Sequence, residues 1–383
     1  MGRTMRVPRT LLVTNDYPPR IGGIQRTLEA LAREFPPDRI AVFAPGWEGA
    51  AAFDGTAPYR VFRQEEGFLW PTRRVARRIH TAIADFGTDV VLFGATYPLA
   101  LLGPGVAERG TPYLAAAHGF EYWLSIAPGT NALVRRATSR ATRVPVLCSE
   151  FVARRVRTAV PRRVPVSVLY PGADLETFRP DLPTSDIRER LGLFDRPLIV
   201  CVSRLVPRKG QDVLIRALPA IRRRVPDATL LIVGRGPHEP KLRALADSAP
   251  MGSVVFAGEV SEDDLPRHYA AGDVFAMPCR DRLGGLEVEG WGNVFIEAAA
   301  CGKPVVAGDS GGAPEAVVDG ETGIVVDGRN VGAVGDAVVE LLTDRERARS
   351  MGKAGRARVE RDHAWPRIAG RLMDWLHEAV ESA

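Results

Sequence analysis

The sequence predicts an α/β protein built from two doubly wound, Rossmann-like domains with largely parallel sheets. Short apolar runs alternate with helix-like segments along the 383 residues. Most of these runs are continuously apolar, as expected of strands that are covered by helices on both faces. About six runs precede residue 170 and about six follow it, which indicates two domains of similar construction.

Each strand prediction rests on a run of β-branched and other apolar residues next to a turn signal. The predicted strands cover residues 10–14, 40–45, 59–62, 90–93, 113–118, 145–149, 165–172, 198–203, 229–234, 253–258, 274–278, 304–308 and 323–326.

The predicted domain boundary lies near residue 170, where Pro171 and Gly172 interrupt regular structure. We therefore assign residues 1–170 to an N-terminal domain and residues 171–363 to a C-terminal domain. Residues 364–383 predict an amphipathic helix that packs back toward the N-terminal domain. Its apolar face consists of Ile368, Leu372, Trp375, Leu376 and Val380.

The composition is that of a globular protein, with 45% apolar and 25% charged residues. No two cysteines form a Cys-x-x-Cys pair, so we predict reduced, mostly buried thiols and no metal site. The N-terminus does not resemble a signal peptide, and no apolar segment reaches the roughly 20 residues that span a bilayer. These features predict a cytoplasmic protein without a transmembrane helix.

The charge is distributed unevenly. Residues 1–170 contain 23 arginines, no lysine and 13 acidic residues, and the arginines cluster at 73–78, 135–143 and 154–163. Such clusters are either solvated helix faces or a surface for an anionic partner, which would be lipid head groups or nucleic acid. Nucleic acid is disfavoured, because no aromatic-interleaved basic motif, helix-turn-helix or zinc module is recognisable.

In open α/β sheets, ligands bind at the carboxyl ends of the strands, and the informative motifs all follow predicted strands. Arg204 and Lys209 lie in a loop that opens a helix, where two cations and free N–H groups can bind a diphosphate. The alternative is an ordinary basic loop.

Two N-terminal motifs also follow predicted strands. Gly22 and Gly23 come before a helix and allow a ligand to approach the backbone, although a Gly-Gly pair often marks only a turn. The motif is neither the G-x-G-x-x-G of dinucleotide-binding proteins nor a P-loop. His118 stands at the end of a strand, where it is either a structural histidine or a ligand contact.

The segment 286–308 places two carboxylates, Glu289 and Glu297, around a predicted helix start. We predict Asn293 as the N-cap and Gly302 as the residue that stops the helix. Carboxylates that hold hydroxyl groups, beside amides that hold phosphate, are suited to a nucleotide sugar.

Together these motifs resemble the family 4 retaining glycosyltransferases of the GT-B fold, over residues 9 to 375. The segments "NDYPPRIGGIQ", "HGFEYW", "RDRLGGLEVEGWGNVFIEA" and "VVAGDSGGAPEAV" further resemble the phosphatidylinositol mannosyltransferases of actinobacteria. The resemblance implies an acceptor-binding N-terminal domain and a nucleotide-sugar-binding C-terminal domain that face each other across an interdomain cleft. The sequence differs from the pattern of these phosphatidylinositol mannosyltransferases at Phe120, Tyr122 and Trp291.

The resemblance also implies a role for each matching residue. Arg204 and Lys209 would bind the donor diphosphate, Glu289 the hydroxyls of the transferred sugar, Glu297 the ribose, and His118 the sugar. His118, Arg204, Lys209 and Glu289 are the candidate catalytic residues. Gly22, Gly23, Val260, Asn293 and Val294 complete the implied donor site. The candidate acceptor-binding residues are Asp16, Gln25, Arg73 and Tyr122.

The implied reaction is transfer of mannose from GDP-mannose to a phosphatidylinositol mannoside at an anionic membrane surface, in an α-1,6 linkage. No D-x-D motif is present, so we expect no metal and no other cofactor. We predict front-side transfer with retention. The alternatives are a family 4 enzyme that uses another GDP- or UDP-sugar and a soluble acceptor, a nucleotide-sugar 2-epimerase, and a binding module without catalysis.

Overall fold

A computed structural model describes residues 7–20, 22–65 and 67–383. The first six residues, which belong to the segment predicted not to be a signal peptide, lie outside this description. The chain divides into two units, one formed by Met1–Pro171 with Trp365–Ala383 and the other by Gly172–Ala364. We call them unit 1 and unit 2 and describe each by itself.

The strands are numbered in chain order. They are β1 Thr10–Val13, β2 Ile40–Pro45, β3 Arg60–Gln64, β4 Val90–Phe93, β5 Tyr113–Ala115, β6 Val144–Val146, β7 Val166–Val168, β8 Leu198–Val202, β9 Thr229–Val233, β10 Val254–Gly258, β11 Val274–Met277, β12 Val305–Gly308 and β13 Gly323–Val326. Each of them overlaps one of the strands predicted from the sequence.

The α-helices are numbered in the same way. They are α1 Gly23–Arg33, α2 Ala50–Asp54, α3 Arg73–Phe86, α4 Gly103–Ala107, α5 Gly119–Leu124, α6 Pro128–Ala137, α7 Glu150–Arg157, α8 Ser185–Arg190, α9 Gln211–Arg224, α10 Glu239–Ala246, α11 Leu265–Ala271, α12 Asn293–Ala300, α13 Ala313–Ala316, α14 Val331–Thr343, α15 Arg345–Asp362 and α16 Trp365–Glu381.

Unit 1 contains a parallel sheet in the order β3-β2-β1-β4-β5. Isolated bridges between β5 and the β6–β7 pair, such as Ala117 with Val146, extend it. Strands β1, β2 and β4 are buried along their whole length. Because β1 lies between β2 and β4, the chain changes direction across the sheet at β1, and the loops after β1 and β4 diverge there.

Helix α16 belongs to the hydrophobic core of unit 1. Ile368, Leu372 and Leu376 are buried in the same cluster as residues of β1 and α1, and Trp375 packs against this cluster from its edge. The spacing of these residues gives the helix one apolar face, and that face is covered.

Unit 2 contains a six-stranded parallel sheet in the order β10-β9-β8-β11-β12-β13. The core strands β8, β9, β11 and β12 are buried throughout. The chain reverses its direction of travel across the sheet between β8 and β11. The loops that follow these two strands therefore leave the sheet at one topological switch point, which is where open α/β sheets bind ligands.

All four cysteines are buried. Burial is the main cause that raises the pKa of Cys201, Cys279 and Cys301 to about 12. Thiols with such pKa values stay protonated near neutral pH and are poor nucleophiles.

Candidate functional site

The switch point of unit 2 brings two predicted catalytic residues into contact. Lys209 ends a 3₁₀ turn after β8, and Glu289 lies in the loop between β11 and α12. Both are buried, with exposed fractions of 8% and 6%, and Lys209 Nζ lies 2.7 Å from Glu289 Oε2. A buried lysine and a buried glutamate each need a counter-charge, and here each supplies the other's.

Arg208 adds a second cation to this pair. Its Nε lies 3.7 Å from the same carboxylate oxygen, Glu289 Oε2. Its carbonyl accepts a hydrogen bond from the N–H of Arg280 at 2.8 Å, which ties the loop after β8 to the loop after β11. Arg208 was not predicted, although its position beside Lys209 in a basic loop was a usable signal.

The backbone around Glu289 is held by the segment that follows β12. Ser310 Oγ accepts a hydrogen bond from the Glu289 N–H at 2.9 Å and donates one to Asp281 Oδ1 at 2.6 Å. The Glu289 carbonyl accepts from the Gly312 N–H at 2.9 Å. Gly311 has a φ of 54°, and a Cβ there would lie 2.1 Å from the Glu289 carbonyl oxygen, so only glycine fits. Neither Ser310 nor Asp281 was predicted as part of the site.

The start of α12 differs from the prediction. Gly292, with a φ of 87°, is the N-cap, and Asn293 is the first helical residue, so the prediction of Asn293 as N-cap is wrong. The physical reason is the left-handed backbone at the cap, which glycine adopts without steric cost. A glycine cap has no side-chain acceptor, so the first N–H groups of α12 remain available to an anion. Asn293 and Val294 are half-buried there.

The other donor-site candidates lie at the carboxyl ends of neighbouring strands. Glu297, on α12, accepts a hydrogen bond from the Tyr269 hydroxyl at 2.6 Å, which fixes one carboxylate oxygen. Arg204 follows β8 with an exposed side chain, and its carbonyl accepts from Gln211 Nε2 at 3.0 Å. Val260 follows β10 and is half-buried. The side chain of Arg204 is therefore available to a ligand.

Two of the acceptor candidates follow β1 in unit 1: Asp16 lies in the loop after the strand, and Gln25 lies on α1. Asp16 Oδ1 accepts a hydrogen bond from Gln25 Nε2 at 2.9 Å, so these two side chains form one polar group. Gly22 lies against Gln25, because a Cβ at Gly22 would be 2.3 Å from Gln25 Oε1. Gly23 is the first residue of α1. The Gly-Gly pair therefore opens a helix, as the sequence predicted.

His118 is placed by the neighbouring loop and by a carboxylate. Its Nε2 lies 2.7 Å from the carbonyl of Gly94, which follows β4. Because a carbonyl can only accept, the proton of this hydrogen bond is on Nε2. The buried Glu121 accepts from the N–H groups of His118 and Thr96, at 2.7 and 3.1 Å. Glu121 was not predicted, although an acid three residues after His118 at a helix start is a signal for such a residue.

The other two acceptor candidates lie on helices of unit 1. Arg73 is the first residue of α3 and is exposed. Tyr122 lies on α5, where its ring stacks on Phe151 with centroids 5.5 Å apart.

A cavity of about 250 Å³ opens beside Asp16 at the carboxyl end of the unit 1 sheet. Asn15 and Asp16 supply its polar wall, and Phe68 and Phe120 are among its apolar residues. Phe68 and Phe120 are also exposed to solvent. An apolar pocket with a few polar groups at one end is typical of a small-molecule site.

No group of three or more His, Cys, Asp or Glu residues that could hold a metal ion occurs in residues 7–20, 22–65 and 67–383.

Comparisons with known proteins identify the family. The model of "Glycosyltransferase Family 4" matches residues 21–177, and that of "Glycosyl transferases group 1" matches residues 184–358. A relative from Mycobacterium tuberculosis, the "GDP-mannose-dependent alpha-(1-6)-phosphatidylinositol monomannoside mannosyltransferase", is 47% identical over 377 residues. The match covers 96% of this chain and 98% of the relative. The chain belongs to glycosyltransferase family 4.

A second relative supports this family assignment. The "GDP-mannose-dependent monoacylated alpha-(1-6)-phosphatidylinositol monomannoside mannosyltransferase" of Corynebacterium glutamicum is 43% identical over 376 residues. The match covers 96% of this chain and 97% of the relative.

Solved structures confirm the predicted GT-B fold class of the glycosyltransferase. Anabaena HepE in complex with UDP and glucose matches with a TM-score of 0.79 at 20% identity, over 97% of this chain and all of that one. A glycosyltransferase from Rickettsia africae matches with a TM-score of 0.81 at 17% identity, over 98% of this chain and all of that one. At these identities the likeness concerns the fold alone.

We expect the Lys209–Glu289 pair to stabilise unit 2 only as a pair. Lys209→Met or Glu289→Gln alone should lower the free energy of unfolding by about 3–5 kcal/mol, because each change leaves one charged group buried without its partner. The double variant should lose less than the sum of the single variants. Urea unfolding of all four proteins measures the coupling energy.

The matched control for this double-mutant cycle is the surface pair Arg224–Asp336, in which a guanidinium nitrogen and a carboxylate oxygen lie 3.0 Å apart. The cycle of Arg224→Met and Asp336→Asn should give a coupling energy of about 1 kcal/mol or less. A coupling energy for Lys209 and Glu289 that is no larger than this value would contradict the prediction.

Proposed function

We propose that this glycosyltransferase transfers mannose from GDP-mannose to the phosphatidylinositol monomannoside lipid, in an α-1,6 linkage with retention of configuration. The observation that carries the proposal is the identity of 47% and 43% to two relatives with this donor and acceptor class in their names, over nearly the whole chain. The Lys209, Glu289 and Glu297 side chains at the switch point of unit 2 supply the groups that such a donor needs.

In this proposal the cations stabilise the leaving group. The bond between the sugar carbon and the diphosphate oxygen breaks, and negative charge develops on the nucleotide diphosphate. Arg204 and Lys209 would bind that charge, with Arg208 beside them and the first N–H groups of α12 as further donors. These fixed positive groups are why we expect no metal requirement.

Glu289 would bind hydroxyl groups of the mannose. Its carboxylate lies 2.7 Å from Lys209 Nζ, and carboxylate oxygens accept the hydrogen bonds that sugar hydroxyls donate. Glu297 would hold the ribose, with one of its oxygens already fixed by Tyr269. The new bond forms on the face that the diphosphate leaves, and the leaving phosphate takes the proton of the acceptor hydroxyl. His118 would contact the sugar.

We also propose that the protein binds an anionic membrane surface as a peripheral protein. Phe68, Trp70, Phe120 and Trp123 are exposed in unit 1, and the rings of Phe68 and Trp70 lie 5.0 Å apart. Helix α3 begins shortly after Phe68 and Trp70 and carries exposed arginines in its first turn. Aromatic side chains beside arginines suit the membrane interface, where rings enter the head-group region and cations meet anionic lipids. No helix in the described residues is long and apolar enough to cross a membrane.

The transfer reaction itself is the first test. Purified protein should transfer labelled mannose from GDP-mannose to phosphatidylinositol monomannoside in buffer that contains a metal chelator. A labelled lipid with an additional mannose is the expected product. Absence of product, together with a rise of the melting temperature on addition of GDP, would contradict the lipid acceptor. It would favour a soluble one, as in the D-inositol 3-phosphate glycosyltransferase relative that is 38% identical over 207 residues.

We predict that Glu289→Gln keeps GDP binding but lowers kcat by about 10²–10³, the usual effect of removing one electrostatic group from a transition state. Binding and turnover should be measured at a temperature at which circular dichroism shows the variant folded. The matched control is Glu340→Gln on α14, which should keep its kcat. Substantial rescue of Glu289→Gln by azide would instead indicate a covalent intermediate on Glu289.

Membrane binding is predicted to depend on the arginines at the start of α3. Arg73→Ala combined with Arg77→Ala should weaken sedimentation with anionic vesicles by about thirtyfold, because each basic residue near such a surface contributes about 1 kcal/mol. Arg154→Ala with Arg162→Ala, two other exposed arginines of unit 1, is the control and should change little. Sedimentation that responds neither to salt nor to the anionic lipid content would refute the proposed surface.

A further inference from the structure

A cationic depression lies on unit 2 beside α9, and neither Lys209 nor Glu289 nor Arg204 lines it. Two adjoining cavities, of about 480 and 520 Å³, share Asp212, Arg216, Arg280 and Arg282 as their common wall. Arg329 lines the first cavity, and His238 and Lys241 line the second. We call this pair of cavities the arginine depression.

A buried carboxylate holds two of the guanidinium groups in place. Asp212, in the first turn of α9, pairs with Arg216 at 2.6 Å and with Arg280 at 2.9 Å. The side chain of Arg216 is nevertheless 51% exposed, and that of Arg280 is 15% exposed. Because a guanidinium has five N–H donors, each can keep its bond to Asp212 and still donate to a ligand.

Two further arginines are fixed at the rim of the first cavity. Arg282 pairs with Glu287 at 2.7 Å, and a guanidinium nitrogen of Arg329 donates to the carbonyl of Asp281. Four guanidinium groups that are held by protein contacts lose little rotamer freedom when a ligand binds. The cations outnumber the carboxylates around the depression, so its local field is positive.

The pKa of His238 is affected by the same positive groups. Partial burial is the main cause that lowers its pKa; Asp212 opposes this shift, while Lys241, Arg280 and Arg282 lower the pKa further. Three nearby cations therefore disfavour a further positive charge at the wall of the depression.

We propose that the arginine depression is a second phosphate-binding site, which takes a phosphomonoester, a phosphodiester or a free phosphate or pyrophosphate. Guanidinium groups bind phosphate oxygens in pairs of parallel hydrogen bonds, which fits several arginines around one compact cavity better than it fits a single carboxylate ligand. The cavities have the size of small-molecule sites rather than of an extended groove. The inference does not depend on the proposed mannosyl transfer.

The rim of the depression also offers an apolar contact. Leu283 and Leu286 are exposed at the tip of the short hairpin between Arg282 and Glu287, and Leu283 has a φ of 50°. A left-handed backbone at a leucine is energetically unfavourable, yet here it presents an apolar side chain to solvent beside four arginines. A phospholipid head group is therefore one source of the phosphate, and a free anion is the other.

Inorganic pyrophosphate is the probe, measured by isothermal titration calorimetry on the full-length protein. The double variant Arg216→Ala/Arg282→Ala removes one exposed and one half-buried guanidinium group and leaves the buried Asp212–Arg280 pair intact. It should weaken pyrophosphate binding at this site by about tenfold or more, since hydrogen bonds to charged groups contribute this much each. Arg204→Ala, in the donor loop, should leave this site unchanged.

The control is Arg223→Ala/Arg345→Ala, which removes two exposed arginines of unit 2 outside the depression and should bind as the parent protein does. Pyrophosphate binding that is lost in Arg204→Ala and unchanged in Arg216→Ala/Arg282→Ala would overturn the proposal. The absence of any pyrophosphate binding to the parent protein would also overturn it.

Vesicles then identify the source of the phosphate. Phosphatidylcholine vesicles that contain phosphatidic acid should sediment less of Arg216→Ala/Arg282→Ala than of the Arg223→Ala/Arg345→Ala control if the site takes a lipid phosphate. Equal sedimentation of the two variants, together with weakened pyrophosphate binding in the first, assigns the site to a free phosphate.

Discussion

The contact between Lys209 and Glu289 is the interaction on which the rest of the unit 2 site depends. A lone ammonium or carboxylate would be costly at this level of burial, so the two loops that carry them must meet. They can meet because β8 and β11 are neighbours in the sheet, although β9 and β10 separate them in sequence. The sheet order therefore sets the geometry of the ion pair, and the ion pair fixes the ends of both loops.

The backbone conformations around Glu289 follow from the same requirement. Gly292 provides a left-handed N-cap to α12, and Gly311 allows the chain after β12 to come against the Glu289 carbonyl. With larger residues at these positions, the loop could not bring Glu289 both to Lys209 and to the start of α12. The Ser310 hydroxyl then satisfies the N–H of Glu289, so the buried loop retains its hydrogen bonds.

The sequence was sufficient to locate the strands and the individual polar residues at their ends. Continuous apolar runs predicted each strand. Lys209 and His118 were selected because they follow such runs, and Glu289 because it precedes a predicted helix start. Sequence could not predict which of them touch, because contact depends on strand order. The prediction of Asn293 as N-cap failed for a local reason: the preference of asparagine for that position competed with a glycine that suits the left-handed cap better. Ser310 and Glu121 were missed because each acts through the backbone N–H of a predicted residue.

Arginine and lysine have different tasks in this chain, and their donor geometries explain the difference. Arg280 pairs with Asp212 through one guanidinium nitrogen, Nη2, which lies 2.9 and 3.0 Å from the two carboxylate oxygens. At position 209 a guanidinium would bury five N–H donors beside a single carboxylate, and several of them would lack acceptors. The ammonium of Lys209 has three donors and lies 2.7 Å from Glu289 Oε2. A compact ammonium can lie against the carboxylate and still donate to a second acceptor, which is what the proposed contact of Lys209 with a diphosphate requires.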